Sequence, residues 1–446
     1  MSIPSDHQDK FAYHFTHFAN LDSIIRHGLL ANNEKDRRRI GHRNIASMSV
    51  QRRRSRMNVT CGRGGTVHDY VPFYFCSVNP MLLSVLNAKN VDQQFLLFLC
   101  VPIQILLQEG TVFTDASANT TDPPNFYDDP ADLDRLNWTA INSRKWSVGS
   151  DEERHQRMAE LMIYKKVPIE NITHIVTWNT VMQNNILELF ARRKVPAPTI
   201  EFDPFQGRHF YFTKFGSGQD RESLVTGPHF FKQSFENTVA EIRDNRAAAG
   251  SKVVRPYHNL RELLAAIAAD FSAIDEMADV FDLEVAYGGR IHNVTDHTLA
   301  MVERIKKDAA YRYAKPEDKQ IMLLACYLHG IGKAPLNQTA GEIHKIFADY
   351  PRDSMEKLVR LLTMEVAELS DYAIRKVALL VGYHDLVSDI VLREREEEQL
   401  FDLVTDEKEV DMLTAVALAG IDEKESFTRA TLKRGAKALR KKLKGR

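Results

Sequence analysis

The chain has 446 residues, 44% hydrophobic and 27% charged, with 59 Lys+Arg against 60 Asp+Glu for a net charge of -1. Length and apolar content exclude disorder throughout and fit about three domains, or two larger ones, at ~150 residues each. The balanced charge leaves nucleic-acid binding to local clusters, and four scattered cysteines with no C-x-x-C pair exclude a disulfide scaffold and the common zinc-finger spacings.

The opening MSIPSDHQDK is polar and has no apolar run, so no signal peptide is expected. LDSIIRHGLL (Leu21–Leu30) places apolar residues at helical spacing and ends near Gly28, which predicts a short helix. Phe73–Cys76, Phe95–Val101, Ile172–Trp178 and Phe210–Phe215 are short aromatic or branched runs bounded by turn residues, and they read as strands. The most apolar stretch, Phe95–Leu107, is shorter than the ~20 residues of a spanning helix, so a soluble, cytoplasmic protein without membrane association is expected. The segment MAELMIYKK around Glu160 reads as a helix, and Asn179–Arg193 as another. A polar, glycine-containing stretch, 216–250, reads as a connection between a domain at 1–215 and one at 251–446, with Ser217–Asp220 and Arg246–Gly250 as its loosest points. Beyond it, LRELLAAIAADFSAI, DHTLAMVERIKK, DKQIMLLACYLHGIG, SMEKLVRLLTMEVAEL, AIRKVALLVGYHDLV and DMLTAVALAGI all carry helical periodicity, and the C-terminal part is expected to be all-α. No G-x-G-x-x-G turn follows a first strand, and GRGG at Gly62–Gly65 lacks P-loop spacing, so neither a Rossmann nor a P-loop site is present.

Several motifs then occur in a fixed order: YHFTHFANLDSIIRHGLL, QRRRSRMNVTCGRGG, HDYVPFYF, DRLNW and QRMAELMIYKK. In this order the chain resembles the DarT family of DNA ADP-ribosyltransferases over roughly residues 11–214. The resemblance implies an α+β fold with an ADP-ribosyltransferase-like mixed sheet, NAD as substrate, single-stranded DNA as acceptor, and reversal by a macrodomain antitoxin. It implies a bacterial toxin or phage-defence role, and thymine as the default target, with guanine left open. Glu160 matches the family's catalytic glutamate. Breaking the bond to nicotinamide passes through an oxocarbenium-like sugar, which a nearby carboxylate stabilises. The catalytic arginine falls at Arg54, or at Arg53 if the register slips by one. A guanidinium is an improbable proton acceptor, so Arg54 is expected to hold a phosphate or a base edge and to orient Glu160.

For the NAD pocket the resemblance implies His14, Phe15 and Thr16 at the nicotinamide edge, with Ser23, Leu30 (or Ala31) and Arg54. Arg53, Arg56 and Tyr70 are expected on the nucleic acid, within a basic stripe that also includes Arg37–Arg39, Arg43 and Arg63. The Arg37–Arg43 group reads equally as a solvated helix face. The polar region from Asp115 to Trp146 corresponds to a family loop that contacts the target.

In the C-terminal part, RIHNVTDHTLAMVERI, LLACYLHGIGKAP and VALLVGYHDLVSD resemble HD-domain phosphohydrolases over about 285–392. The matching ligand positions are His297, His329 and His384, with Asp385 or Asp389. The family's His-Asp pair is His329-Gly330 here, and Arg352 stands where a further histidine is expected, so the site is degenerate and no metal is expected. The tail Thr428–Arg446 has nine Lys/Arg and no acid, and reads as a nucleic-acid contact or as a solvated arm. Two other functions compete: a metal-dependent HD phosphohydrolase whose N-terminal half binds NAD or DNA, and a non-enzymatic nucleic-acid scaffold.

Overall fold

The computed structural model describes residues 2–144, 149–214, 219–250, 253–287, 290–334, 344–345 and 349–446. They form two compact units: Met1–Asn87 with Val91–Ser223, and Ala88–Asn90 with Leu224–Arg446.

The first unit is built on an eight-stranded sheet. Its strands are β1 (Phe11–His17), β2 (Tyr70–Tyr74), β3 (Leu96–Pro102), β4 (Thr111–Thr114), β5 (Phe126–Tyr127), β6 (Glu160–Tyr164), β7 (His174–Thr177) and β8 (Thr199–Phe202). They lie in the order β8-β7-β3-β1-β2-β6-β4-β5. Only β7 and β8 run parallel; the other pairings are antiparallel, which makes the sheet mixed and the unit α+β. Leu96 to Val101 are buried without a break, so both faces of β3 are covered and its sequence is a continuous apolar run. Two helices, α1 (Leu21–His27) and α4 (Thr180–Arg193), pack one apolar face each into this core through Ile24, Ile25, Ile186 and Phe190. Between them in sequence lie α2 (Asn32–Arg38) and α3 (Met48–Arg54). Gly28 ends α1 at φ 76°; a Cβ there would stand 2.6 Å from the Lys166 side chain and 2.7 Å from the Val167 carbonyl, so only glycine makes this turn.

Three expectations change here. Glu160 opens a strand rather than lying on a helix, because ELMIY pairs with YVPFY residue for residue, Glu160 opposite Tyr74. Of Phe210–Phe215 only Thr213–Lys214 is extended into a strand; Phe210 to Phe212 are buried core residues, and Phe215 lies outside the described residues. The segment expected to connect, 216–250, carries the long helix α5 (Pro228–Ala249), held by Phe231, Phe235, Val239 and Ile242 at helical spacing, which the surrounding polar residues masked in sequence. Its expected loose point at Arg246–Gly250 is the end of that helix; of Ser217–Asp220, Ser217 and Gly218 lie outside the described residues.

The second unit is mainly helical. Besides α5 its larger helices include α6 (Val294–Lys307), α7 (Pro316–Leu328), α8 (Tyr350–Met364), α9 (Asp371–Gly382), α10 (Glu407–Gly420) and α11 (Ser426–Lys444). It is not all-α: Glu284–Tyr287, Arg290–Asn293 and His344–Lys345 form a three-stranded sheet, and EVAY with RIHN is short and branched enough to pair locally as a hairpin. The basic tail is α11, and it is not a free arm. Leu432, Ala436 and Leu439 are buried, and Arg440, Lys442, Lys444 and Arg446 pair with Glu407, Glu397 and Glu398 of the same unit. Among the described residues no helix is long and apolar enough to cross a membrane.

Candidate active site

Helix α3 starts at Ser47, whose hydroxyl accepts from the Ser49 amide, and runs MSVQRRR. Its last turn aims Arg54 inward while Arg52, Arg53 and Arg56 stay exposed. Of the consecutive arginines, Arg54 is the one turned inward, at only 6% exposed. Both its terminal nitrogens donate to Glu160, Nη1 to Oε1 and Nη2 to Oε2, each at 2.8 Å. Two residues 106 positions apart thus meet as a bidentate fork.

Glu160 has no exposed surface. Its Oε1 also accepts from the Ala118 amide at 2.8 Å, and its own amide donates to Thr114 Oγ1 at 3.1 Å. The carboxylate is held by three donors from two different segments, which fixes its orientation. Burial opposes the charge on Arg54, but the carboxylate beside it outweighs burial and holds the guanidinium above its ordinary range. Tyr74, opposite Glu160, is raised by burial and then by the carboxylate, so its phenol stays protonated. Removing one member of such a buried pair leaves the other uncompensated, which costs about 3–5 kcal/mol.

A cavity opens on the Arg54 side. His14, Phe15, Thr16, Ser23, Leu30 and Arg54 all line it, and so does Ala31. Thr16 Oγ1 accepts from Asn20, and Asn20 in turn bonds both the amide and the carbonyl of Arg43, tying the loop after α2 to β1. His14 Nδ1 donates to the Pro72 carbonyl at 2.7 Å. Burial lowers its pKa to about 4, so the ring is neutral near pH 7 and its Nε2 is an acceptor.

Sequence reasoning missed several lining residues: Lys35, His42, His68 and Asn20. Lys35 is half-buried with no ion pair among the described residues, and burial lowers its ammonium to about 8. The signal was present as a lone lysine in α2 among arginines, but helical position alone could not show which cation faces inward. Its neighbours Arg37 and Arg38 turn outward onto Glu34. Tyr70 is 1% exposed and packs against Met57, Val59 and Met162; its hydroxyl donates to the Gly64 carbonyl at 2.9 Å, and it also lines the cavity.

The loop from Asp115 supports the same centre. Ala118 holds Glu160, and the Ser117 amide donates to the His155 carbonyl at 3.0 Å. A second, polar cavity is lined by Asp115, Thr120, Asn125, Arg135, Asn137 and His155 among others. Trp146, at the end of the expected loop, lies outside the described residues.

In the second unit, His297, His329 and His384 come together in a row, with ring centroids 5.5 and 5.3 Å apart. Asp389 does not join them: it faces Arg393 and Arg395 at 3.3 and 3.6 Å, and Asp385 faces Lys89 and Arg395. Among the described residues no group of three His, Cys, Asp or Glu side chains is arranged to hold a metal ion. The donor set does not fit the hard divalent cation that the HD resemblance implies, since the carboxylates are engaged elsewhere and Lys333 brings positive charge toward the imidazoles.

His14, Lys35 and Arg54 thus line one cleft, with Glu160 buried behind Arg54. The family described as DarT, ssDNA thymidine ADP-ribosyltransferase, matches residues 13–212. A DNA ADP-ribosyl transferase of Thermus sp. (strain 2.9) is 33% identical over 186 residues, covering 40% of this chain and 87% of the relative. One from Escherichia coli O127:H6 is 28% identical over 164 residues, covering 34% and 73%. Among solved structures, Thermus sp. 2.9 DarT in complex with NAD+ aligns at 28% identity and a TM-score of 0.39, covering 45% of this chain and 97% of that one. The chain belongs to the DarT family through its first unit. It is a DNA ADP-ribosyltransferase, and NAD is its substrate.

Proposed function

We propose that the first unit transfers ADP-ribose from NAD to thymine bases of single-stranded DNA. The observation that carries this reading is the buried fork between Arg54 and Glu160 beside a cavity lined by His14, Phe15, Thr16, Ser23 and Leu30. Glu160 steadies the cationic sugar as nicotinamide departs. Arg54 orients that carboxylate; it does not accept the proton. The His14–Thr16 backbone reads the nicotinamide amide, Ser23 and Leu30 wall the pocket, and Lys35 with Arg43 faces the diphosphate. Arg53, exposed on α3, and Arg56, exposed just past its end, track the DNA backbone. Thymine is favoured by the family's own description.

The biological setting is a bacterial toxin or phage-defence effector, reversed by a macrodomain antitoxin. The second unit, which resembles a degenerate HD domain, serves this activity in a regulatory or scaffolding role. The alternative, a metal-dependent phosphohydrolase, is disfavoured by Gly330 in place of the metal-binding aspartate. Incubating the full chain with NAD and oligonucleotides of thymine only or guanine only tests the reading. A retarded thymine oligonucleotide, absent in Glu160→Gln, supports it; modification of the guanine oligonucleotide alone, or phosphate release dependent on metal, overturns it.

A further inference from the structure

We infer that the second unit carries a surface for single-stranded DNA on the outward face of α11, formed by Phe427, Lys433, Arg434, Lys437 and Lys441. The helix Ser426–Lys444 holds eight Lys/Arg and no acid. Its inner face is fixed. Leu432, Ala436 and Leu439 are buried, and Gly435 brings the backbone so close to helix Leu386–Leu392 that a Cβ there would stand 2.5 Å from Val391. The cations then divide into two sets. Arg440 pairs with Glu407 and Asp411, Lys442 with Glu397 and Lys444 with Glu407, while Arg429 donates to the Leu418 and Ile421 carbonyls. Lys433, Arg434, Lys437 and Lys441 are exposed and have no ion pair among the described residues; Arg434 donates within its own helix, to Thr431 Oγ1 at 3.4 Å.

The second set shares a face. With about 3.6 residues per turn, positions seven apart nearly coincide around the axis, so Phe427, Arg434 and Lys441 lie in one row along the helix. Lys437 follows Arg434 by three residues and precedes Lys441 by four, which places it beside the same row, and Lys433 borders it. Like charges at these spacings repel one another, and no acid among the described residues pairs with them. Phe427 is 78% exposed, an aromatic ring left in water at the start of the row. Beside the row, Lys433 and Arg429 line a cleft with Arg304 and Lys307; of its acids, Glu423 is engaged by Lys307, Asp411 by Arg440, and Asp308 by the Ala310 amide.

A row of unpaired cations headed by an exposed ring calls for a polyanion that also offers a flat apolar face. A membrane surface does not fit, because an interfacial helix must insert its apolar side, and Leu432, Ala436 and Leu439 are already packed. Duplex DNA meets the cations but keeps its bases stacked on one another, which leaves Phe427 in water. A single strand meets both: its phosphates accept from the ammonium and guanidinium groups, and an unstacked base lies on the Phe427 ring. The row lies outside residues 285–392, the part that resembles HD phosphohydrolases. Through it the second unit retains the strand whose bases the first unit modifies, and the choice of DNA rests on that reading.

The test reads binding on the full chain without NAD, by the fluorescence anisotropy of a labelled single-stranded thymine oligonucleotide over a sodium chloride series. Lys433→Gln, Arg434→Gln, Lys437→Gln and Lys441→Gln together are expected to lower the slope of log affinity against log salt by about two to three units, at ~0.7 per phosphate contact. Phe427→Ala is expected to weaken binding about tenfold and to leave that slope unchanged. Phe427→Trp keeps a ring in place and does not depend on the fourfold variant folding; its added fluorescence is expected to be quenched saturably by the single strand and not by the duplex. Slope and affinity equal to wild type in both the fourfold variant and Phe427→Ala, quenching by the duplex or by polyglutamate as strong as by the single strand, or tighter binding of a uracil RNA oligonucleotide than of the DNA overturns the inference. Because no turnover is read, a chain that binds through α11 yet modifies no base overturns the transferase reading alone, and intact transfer with α11 variants that bind as wild type overturns this inference alone.

Discussion

Each unit buries a cluster of titratable groups, and the two clusters are built in opposite ways. In the first, Arg54 and Glu160 cancel each other's charge, and every oxygen of the carboxylate has a donor. In the second, three imidazoles meet beside Lys333, the neighbouring Asp385 is engaged by Lys89, and one imidazole nitrogen has no partner among the described residues. The first cluster is complete before any substrate arrives, which is what preorganised stabilisation of a developing charge requires. The second leaves a buried acceptor unmatched among the described residues. The comparison teaches that burial alone says little about a titratable group; the partner, or its lack, separates the two roles.

The contrast can be broken most severely at Glu160. Glu160→Gln keeps the shape but removes the negative charge, and transfer to a thymine oligonucleotide should fall by about a thousandfold. A gel-shift time course with NAD checks this, and retention of more than a tenth of the rate would leave Glu160 without its assigned role. Arg54→Lys comes next. A single ammonium cannot replace a two-point fork, so a loss of about a hundredfold is expected despite the kept charge. Near-wild-type turnover in that variant would show that orientation of the carboxylate does not depend on the guanidinium plane.

Lys35 offers a pH test of the same cleft. Burial depresses its ammonium to about 8, so the cation is present below that pH and lost as pH rises through it. If it faces the NAD diphosphate, kcat/KM for NAD should decline above about pH 8, because this ratio reports ionisations of the free enzyme. Lys35→Arg should abolish the decline; a decline unchanged in that variant assigns it elsewhere. On the acid side, His14 titrates near 4 and should leave no inflection between about pH 5 and 7.

In the second unit, an ammonium without an ion pair among the described residues predicts a gain when it is removed. Lys333→Met should raise thermal stability by about 1 kcal/mol, since a partly desolvated charge is lost. Differential scanning calorimetry checks this, and a fall in melting temperature would mean that the ammonium has a stabilising partner. The smallest effects belong to the exposed arginines at and just past the end of α3. Arg53→Ala and Arg56→Ala should each lower the salt dependence of DNA modification by about one unit of log–log slope, with KM for NAD unchanged.

Much of the catalytic unit is legible in the sequence because its signals are local. The run HDYVPFYF and the glycine stop after α1 depend on neighbouring residues, and the strands fall near where their composition places them. The fork residues Arg54 and Glu160 are nameable from motif order. Reading Glu160 as helical fails for a non-local reason: ELMIY becomes a strand only because Tyr70–Tyr74 lies alongside to pair with it. The basic tail misleads in the same direction, as the charges at its end are matched by acids from other helices.

By itself, then, the sequence determined the order of elements, the presence of a transferase half and a helical half, and the chemistry available at each motif. Tertiary structure alone decided which of three consecutive arginines turns inward, that the lone lysine of α2 faces the cleft, and that the cation at Lys333 occupies the space beside Gly330. The reason is that periodicity specifies a side chain's direction relative to its own element, whereas charge pairing and burial depend on what a distant segment brings to meet it.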